Sequence, residues 1–333
     1  MRADWLVDGL GGPPVKAPLV EARRGVIQRV ASGEAPPPGA EVRELSGHTL
    51  LPGLVDAHVH LAMSGEPDPA IRETQLDMNY PAAKRVIREN LVRMAAWGIV
   101  AARDAGDRRG HVSRYLSKRG GASLPAVVAS GRAWHALGRY GKMIGRSPEP
   151  GRSLARGIEA DCEPRGVVKI IQSGINSLDE YRRQTPPQFS LPELCAAVDA
   201  ARACGLSVMA HANGEEPVAI AVAAGVASVE HGFFMGEGNL AAMAKKGTVW
   251  VPTAVTMDAY ARVLPPESPQ RDMALRLLNH QLEQLAKARE VGVAVATGTD
   301  AGSPGVIHGP ALAREMRLFM DAGYTLAEAV AAA

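Results

Sequence analysis

The sequence predicts an α/β fold, a (β/α)8 TIM barrel that follows a small β-sandwich segment at the N-terminus. From Pro52 onward, short apolar runs rich in β-branched residues alternate with longer stretches of helical period, a pattern typical of repeated βα units. Eight such runs occur, and eight parallel strands that are each followed by a helix can close into a barrel. Before Pro52 the pattern differs, because Gly- and Pro-rich clusters separate much shorter apolar runs.

The eight predicted strands lie at residues 54–57, 99–103, 126–130, 167–171, 207–210, 228–230, 249–252 and 293–297. Between them, helical spacing predicts helices that include residues 80–96, 191–203, 238–246, 268–290 and 310–322. In the fourth of these helices, one buried stripe is predicted from Leu275, Leu278, Leu282 and Leu285. An open, doubly wound sheet of eight strands fits the same pattern, so the sequence alone leaves that alternative open.

These patterns divide the chain into a partial β-sandwich segment, residues 1–51, and a barrel, residues 52–333. Three cysteines, Cys162, Cys195 and Cys204, are an odd number without CxxC spacing. We therefore expect reduced thiols, and neither a disulfide framework nor a thiolate metal site.

Composition and charge exclude several classes of partner. The 333 residues include 37 basic and 35 acidic side chains, a formal net charge of +2, with no long basic run. Nucleic acids and anionic membranes attract concentrated positive charge, so we expect neither, and a small-molecule substrate instead. The N-terminal stretch MRADWLVDGL lacks the apolar core of a secretory signal, which predicts a cytoplasmic protein. Barrel proteins often assemble, so a homo-oligomer is also expected.

The first predicted strand carries the strongest chemical signal, a pair of histidines at its end. His58 and His60 are two residues apart. Because side chains alternate along a strand, both imidazoles project to one side. A histidine pair of this kind is a candidate metal site, and it becomes a stronger one if other strands end in ligand residues.

Other predicted strands do end in such residues. His211 and His231 close the fifth and sixth strands, and Asp300 follows the eighth. The carboxyl ends of barrel strands meet at one face, where active sites lie. Glu230 immediately precedes His231, so alternation predicts that it faces away from the barrel axis.

Lys169 lies within the fourth predicted strand, where burial of an ammonium group is costly unless the group is paired or chemically neutralised. Four imidazoles, one carboxylate and this lysine exceed the three or four ligands that one catalytic zinc needs. The surplus indicates two metal ions. A lysine that has added carbon dioxide becomes a carbamate, whose two oxygens can bridge two cations. The sequence thus predicts two divalent ions, with zinc as the first candidate, and a CO2-derived carbamate on Lys169.

Taken together, these motifs resemble the amidohydrolase superfamily, specifically its binuclear members with a carboxylated lysine. The resemblance is closest to imidazolonepropionase-like proteins and prolidase-type Xaa-Pro dipeptidases. It extends over nearly the whole chain and rests on an ordered set of stretches, LPGLVDAHVHL from Leu51, RDAG from Arg103, VKI from Val168, AHANG from Ala210, VEHG from Val229 and GTDAG from Gly298.

The resemblance implies a ligand set and a reaction. It assigns one metal to His58, His60 and Asp300, the second to His211 and His231, and the bridging position to carbamylated Lys169. A bridging hydroxide would attack a carbonyl polarised by the second metal, and Asp300 would pass the proton to the leaving amine. The implied activity is metal-dependent hydrolysis of an amide-type C–N bond, in a dipeptide or an N-acyl amino acid.

The loop after the third predicted strand supplies candidate substrate contacts. Relatives carry a Gly-Gly-His-Gly stretch there, whereas here Tyr140 falls at the histidine position and His135 lies five residues earlier. Tyr140 could hydrogen-bond a substrate oxygen, and Arg132 could pair with an acid group. His308, in a His-Gly pair, is the fourth candidate.

The chain departs from the resembled family at its end. Residues 323–333 are similar to the last barrel helix, after which relatives continue with strands that complete the sandwich. Those strands are missing here. We expect either a truncated form of a longer protein or an N-terminal segment with unpaired edges.

A mononuclear cyclic-amide hydrolase or deaminase of the same superfamily is the main alternative, because it shares the histidine pair and the terminal aspartate. The deaminase arrangement has a glutamate three residues after the fifth-strand histidine, whereas Glu215 and Glu216 follow His211 by four and five residues. Mononuclear members also need no bridging lysine at the position of Lys169. A non-catalytic barrel is a further alternative, which the presence of every predicted ligand opposes.

Overall fold

Parallel strands alternate with helices from Leu54 onward in the computed structural model, which describes residues 1–119, 123–162 and 166–333. The strands are β1 (Arg2–Leu6), β2 (Val15–Lys16), β3 (Pro18–Arg23), β4 (Val26–Ser32), β5 (Glu44–Leu50), β6 (Leu54–Val59), β7 (Ile99–Asp104), β8 (Ala126–Ala129), β9 (Ala133–Trp134), β10 (Gly145–Arg146), β11 (Val167–Ile171), β12 (Ser207–Ala212), β13 (Ser228–His231) and β14 (Val249–Val251). The helices are α1 (Pro69–Leu76), α2 (Tyr80–Ala96), α3 (His111–Ser117), α4 (Leu154–Ala160), α5 (Leu191–Ala203), α6 (Glu215–Ala224), α7 (Glu237–Lys246), α8 (Val255–Val263), α9 (Pro269–Val291), α10 (Pro310–Asp321) and α11 (Leu326–Ala331).

The short strands expected near the N-terminus form a sheet of their own. Its order is β2-β1-β3-β4, and β5 pairs with β1 in the parallel direction while the other pairs are antiparallel. Leu19 and Val20 of β3 are buried, whereas Val26 and Ile27 of β4 are exposed. The division of the chain at residue 51 stays a prediction.

Two wholly parallel sheets, β6-β7-β8 and β10-β9-β11-β12-β13-β14, form the rest of the α/β fold. Only residues 130–132 separate β8 from β9, so this stretch pairs with β7 at its start and with β11 at its end. Consecutive βα units therefore lie side by side in chain order.

The eighth predicted strand, residues 293–297, is not a regular strand. The backbone N–H of Trp250 donates to the carbonyl oxygen of Ala294 at 2.8 Å, and that of Ala57 donates to the carbonyl of Thr297 at 3.0 Å. The segment thus bonds to both β14 and β6. Its bonds to β14 involve only Trp250, which also accepts from the Ala296 N–H and forms an isolated bridge with Val295. A continuous ladder, which defines a strand, does not form.

The helix predictions agree closely with the structure, because local caps determine where these helices begin. Asn79 accepts a hydrogen bond from the Ala82 N–H at the start of α2, and Ser190 and Glu193 form a capping box at the start of α5. Both helices have the predicted bounds. Among the described residues, no helix has both the length and the apolar composition needed to cross a bilayer.

The buried face of α9 differs from the predicted leucine stripe. Leu278 and Leu285 are buried as predicted, but Leu275 and Leu282 are only half-buried. Gln281, which is fully buried, instead donates to the carbonyl oxygens of His231 and Pro252. This polar contact turns the helix toward the ends of β13 and β14, which helical spacing of leucines could not reveal.

The prediction of reduced thiols is wrong for two of the three cysteines. A disulfide joins Cys162, after α4, to Cys204, the C-cap of α5, and Cys195 is free. The packing of α4 against α5 brings the two Cα atoms to 5.7 Å, a separation that disulfides span. Sequence spacing alone carries no signal of this tertiary contact.

Candidate active site

A cavity of about 700 Å³ lies where the parallel strands end. Its lining includes all six predicted metal ligands, His58, His60, Lys169, His211, His231 and Asp300. Strands β6, β11, β12 and β13 carry or immediately precede five of them, and the irregular segment after residue 297 carries Asp300. The fold thus brings together residues that are up to 242 positions apart in the sequence, from His58 to Asp300.

His58, His60 and Asp300 form the tightest group. The Nδ1 atom of His58 donates to Glu230 Oε2 at 2.6 Å, and that of His60 donates to the carbonyl oxygen of Gly106 at 2.7 Å. In the neutral form of each imidazole, Nε2 then keeps its lone pair. The two Nε2 atoms lie 3.4 Å and 3.2 Å from Asp300 Oδ1. The three side chains can each offer a ligand atom within 4.8 Å of the others, so they could hold one metal ion.

His231 and His211 extend this group on its other side. His231 Nδ1 lies 2.7 Å from Thr253 Oγ1, while His211 uses the opposite nitrogen, Nε2, to donate to the carbonyl oxygen of Gly174 at 3.0 Å. Their ring centroids are 4.6 Å apart, and the His231 ring is 5.0 Å from that of His58. In all four imidazoles, a contact with the protein fixes the ring through one nitrogen and leaves the other available as a ligand.

Burial acts to lower the pKa of His60, but its contact with Asp300 outweighs burial and raises that pKa. Burial keeps the other three imidazoles neutral. It lowers the pKa of His58 to about 4 and that of His211 to about 3, and the nearby Lys169 ammonium adds to both shifts. The pKa of His231 is also held well below its ordinary value, by burial and then by His211 and His58. Metal ions bind the neutral form of imidazole, so this protonation state suits a ligand.

Lys169 is only 1% exposed, and its Nζ lies 3.4 Å from His58 Nε2. Within the described ranges, no carboxylate lies at ion-pair distance from Nζ. Burial lowers the pKa of Lys169 to about 8, although Glu230 and Asp300 act in the opposite direction. The structure therefore buries the Lys169 amine in the costly environment that the sequence predicted for it.

Glu230 corrects a prediction, because it faces the site and not away from it. It is fully buried, and besides His58 it accepts a hydrogen bond from Arg103 Nη2 at 2.9 Å. The backbone of His231 has a φ of 68°, a left-handed conformation that ends the strand alternation. Both neighbouring side chains can then reach the site. Burial raises the pKa of Glu230, but Arg103 and His58 outweigh it and hold that pKa well below the usual range.

Two buried aspartates that the sequence analysis did not single out fix the ligand-bearing loops. Asp56 accepts hydrogen bonds from the N–H and the hydroxyl of Thr299, at 3.0 Å and 2.7 Å. Asp104 accepts from the N–H groups of Leu61 and Gly106, at 2.8 Å and 3.0 Å. Strand alternation could have identified Asp56, because it lies on the same side of β6 as His58.

Asp300 itself adopts a left-handed backbone conformation, with a φ of 55°. Ser303 Oγ donates to its Oδ2 at 2.8 Å. Burial raises the pKa of Asp300, but its contact with His60 and the proximity of the His58 and His231 rings hold that pKa well below its ordinary value. The carboxylate is therefore ionised and positioned from both of its oxygens.

Of the four candidate substrate contacts, the structure brings only Tyr140 into the lining, with its ring centroid 5.4 Å from that of His211. The other three lie outside the lining. His135 is buried and its Nδ1 donates to the carbonyl oxygen of Ala136, and Arg132 is exposed at the surface. His308 is fully buried. Their positions in the sequence predicted that these three residues lie near the strand ends, but their side chains do not line the cavity.

A family of hydrolases matches most of this chain. The model of the amidohydrolase family matches residues 49–333, so the chain belongs to the amidohydrolase family. This confirms the resemblance inferred from the motifs. An uncharacterized protein of Mycobacterium tuberculosis is 30% identical over 302 residues, which cover 86% of this chain and 73% of that protein. An imidazolonepropionase of Acidiphilium cryptum is 26% identical over 236 residues, 64% of this chain and 57% of that protein.

Several solved structures share the fold. A Xaa-Pro dipeptidase with methionine bound in its active site superposes with a TM-score of 0.76 at 24% identity, covering 100% of this chain and 86% of that chain. A prolidase complexed with N-methylphosphonate-L-proline gives a TM-score of 0.78 at 23% identity, with coverage of 100% and 86%. An ochratoxinase of A. niger gives 0.79 at 22% identity, with coverage of 100% and 81%.

Proposed function

We propose that this protein is a metal-dependent hydrolase that cleaves an amide-type C–N bond in a small molecule, a dipeptide or an N-acyl amino acid. One observation carries the proposal. Four imidazoles, each fixed through a single ring nitrogen, meet Lys169 and Asp300 at the ends of parallel strands.

The proposal includes a closed (β/α)8 TIM barrel as the scaffold. The two parallel sheets meet at the stretch that contains β8 and β9, and residues 293–301 bond to both β14 and β6. This order of neighbours is the one that a closed barrel requires. A barrel would also explain why the ligand residues converge, because active sites of this fold lie at the carboxyl ends of the strands.

The donor set fits two divalent ions, with zinc as the first candidate. Imidazole and carboxylate donors suit zinc and its neighbours in the first transition series. Metal-binding histidines usually donate their second ring nitrogen to a protein acceptor, as His58, His60 and His211 do here. We assign one ion to His58, His60 and Asp300 and the other to His211 and His231. When bound, such ions lower the pKa of a water molecule and polarise a substrate carbonyl.

Lys169 would bridge the two ions as a carbamate. The uncharged amine attacks carbon dioxide, a new N–C bond forms, and one proton is released, so that the side chain becomes an anion with two oxygens. This change replaces a buried ammonium, which lies 3.4 Å from His58 Nε2, by a ligand of the charge that cations require.

Asp300 would move the proton in the reaction. Its carboxylate is ionised at rest, so it can accept a proton from the attacking water and deliver it to the leaving nitrogen. The hydrogen bond from Ser303 holds one oxygen in place and leaves the other beside the histidine pair. Tyr140, on the cavity wall near His211, would donate to a substrate oxygen.

Metal analysis combined with activity tests this proposal. Protein prepared with divalent zinc and ¹³C-bicarbonate should contain about two zinc ions per chain, show a carbamate carbon signal in NMR, and hydrolyse members of a dipeptide and N-acyl amino acid panel. Lys169→Ala should lose the carbamate signal, one ion and the hydrolysis. The matched control is Lys245→Ala, an exposed lysine near the end of α7, which should keep all three. Full hydrolysis by Lys169→Ala would refute the proposed role of the lysine.

A mononuclear cyclic-amide hydrolase or deaminase is the second candidate. One observation favours it, because in the described part of the chain only His58, His60 and Asp300 form a metal-sized group without further movement. The similarity to an imidazolonepropionase points the same way. One ion per chain, with activity that does not depend on carbon dioxide, would establish this candidate over the binuclear one.

A further inference from the structure

Arg72, on α1, lies in the cavity lining without a carboxylate partner. Its Nη1 atom donates a hydrogen bond to the carbonyl oxygen of Gly302, with a distance of 2.7 Å between the two atoms. Among the residues that the structure describes, no aspartate or glutamate lies at ion-pair distance from it. Its side chain is half-buried. A guanidinium removed from water without a counter-charge is costly, and such groups in a binding cavity commonly pair with a ligand anion.

Two tyrosines face the same part of the cavity. Tyr140 and Tyr260, the latter on α8, both belong to the lining, and neither hydroxyl has a hydrogen-bond partner in the described part of the chain. Burial raises the pKa of both, and the charges of Arg72 and Asp300 act on both in opposite directions. The phenols are therefore neutral donors, close to Arg72 and to Asp300.

The Gly302 contact places Arg72 beside the proposed reaction centre. Gly302 is two residues from Asp300, and the hydrogen bond anchors the guanidinium to this turn. The remaining N–H groups of the planar fork match the two oxygens of a carboxylate, and a phenol can donate a further hydrogen bond. A neutral amide offers no charge to compensate the guanidinium.

We propose that Arg72, Tyr140 and Tyr260 bind a carboxylate that the substrate carries close to its scissile bond, so that the site selects acids over the corresponding neutral amides. This inference rests on the proposed function, since it names the substrate class of that same site. It assigns Arg72 and Tyr260, two residues for which the sequence pattern gave no signal, to substrate recognition.

A pair of ligands that differ only in charge tests this assignment. N-acetyl-L-leucine and N-acetyl-L-leucinamide are titrated by calorimetry into zinc-loaded protein that carries Asp300→Asn, so that turnover does not obscure binding. We expect the acid to bind more tightly than the amide. Adding Arg72→Met should weaken binding of the acid by about tenfold or more, with a much smaller effect on the amide. Arg72→Lys should restore part of the preference, because it keeps the charge but loses the fork.

The controls separate recognition from folding. Arg156→Met removes an exposed arginine on α4 and should leave both affinities unchanged. Tyr260→Phe, which removes one hydroxyl, should weaken binding of the acid by a smaller factor than Arg72→Met. If Arg72→Met strongly lowers the melting temperature, Tyr260→Phe is the variant that tests the proposal. Equal binding of acid and amide, or an equal loss for both in Arg72→Met, would overturn the inference. Should the unsubstituted protein hydrolyse no member of the dipeptide and N-acyl amino acid panel, the proposed function fails, while the binding comparison still decides the role of Arg72.

Discussion

The N-terminal sheet and the parallel strands differ in which side chains they expose and which they bury. In β4, Val26 and Ile27 are 59% and 62% exposed, and the ion pair of Arg2 with Glu44 lies at the surface. In the parallel region, Ile170 is fully buried, and so is Glu230, which bonds to Arg103 and to His58. Buried charge is costly, so its concentration at the strand ends of one region indicates chemistry there. Surface charge in the other region indicates only solvation.

The largest expected difference between the two regions is in catalysis. Asp300→Asn should lower kcat by about 10²- to 10⁴-fold, because the amide cannot accept the proton. Metal bound by the histidines should be largely retained. Asp4→Asn is the matched control, since Asp4 in β1 also accepts a hydrogen bond, from the Gly47 N–H, but lies at the surface. Its kcat should not change. Unchanged turnover in Asp300→Asn, measured with metal content in the same sample, would remove Asp300 from proton transfer.

A matched pair of isoleucines compares the packing of the two regions. Ile170→Ala in β11 should lower the free energy of unfolding by about 2–5 kcal/mol, because it opens a cavity among buried side chains. Ile27→Ala in β4 should change it by about 0.5 kcal/mol or less. Denaturant titration measures both values, provided that the dependence of the unfolding free energy on denaturant concentration is the same in both variants. A similar loss for both variants would mean that the face of β4 is covered in the protein in solution.

Two glutamates compare a buried ion pair with an exposed one. Glu230→Gln should weaken metal binding by about 10- to 100-fold, because the hydrogen bond that orients His58 loses its charge. Glu44→Gln, which breaks the surface pair with Arg2, should leave metal affinity unchanged. Competition with a fluorescent chelator measures both. Equal affinities in the two variants would show that Glu230 does not position His58.

The pH dependence of stability gives the smallest effect. In metal-free protein the pKa of His211 is about 3, against an ordinary value of 6.5. The unfolded chain therefore binds a proton below pH 6.5 that the folded chain does not, and stability is lost as the pH falls. Between pH 7 and pH 5 this histidine should account for about 2 kcal/mol. His211→Gln should remove that part of the slope in chelator-treated samples. An unaltered slope would mean that the imidazole is not desolvated.

Local patterns predicted much of this molecule. Caps and spacing determine α2 and α5, and the strand pattern identified the six predicted metal ligands, all of which line the cavity. Tertiary contacts decided the rest. The left-handed backbone at His231 lets His231 and Glu230 both reach the site. A few hydrogen bonds to two neighbouring strands replaced the eighth strand, and helix packing joined Cys162 to Cys204. Arg72 and Tyr260 lie on helices whose position over the cavity no local pattern reveals.

Anomalous diffraction from zinc-loaded crystals, recorded above and below the zinc absorption edge, tests the central claim most directly. The account predicts two peaks in the cavity, one beside His58, His60 and Asp300 and one beside His211 and His231. It also predicts continuous density from Lys169 Nζ that reaches both peaks. A single peak with an unmodified Lys169 side chain would contradict the binuclear centre.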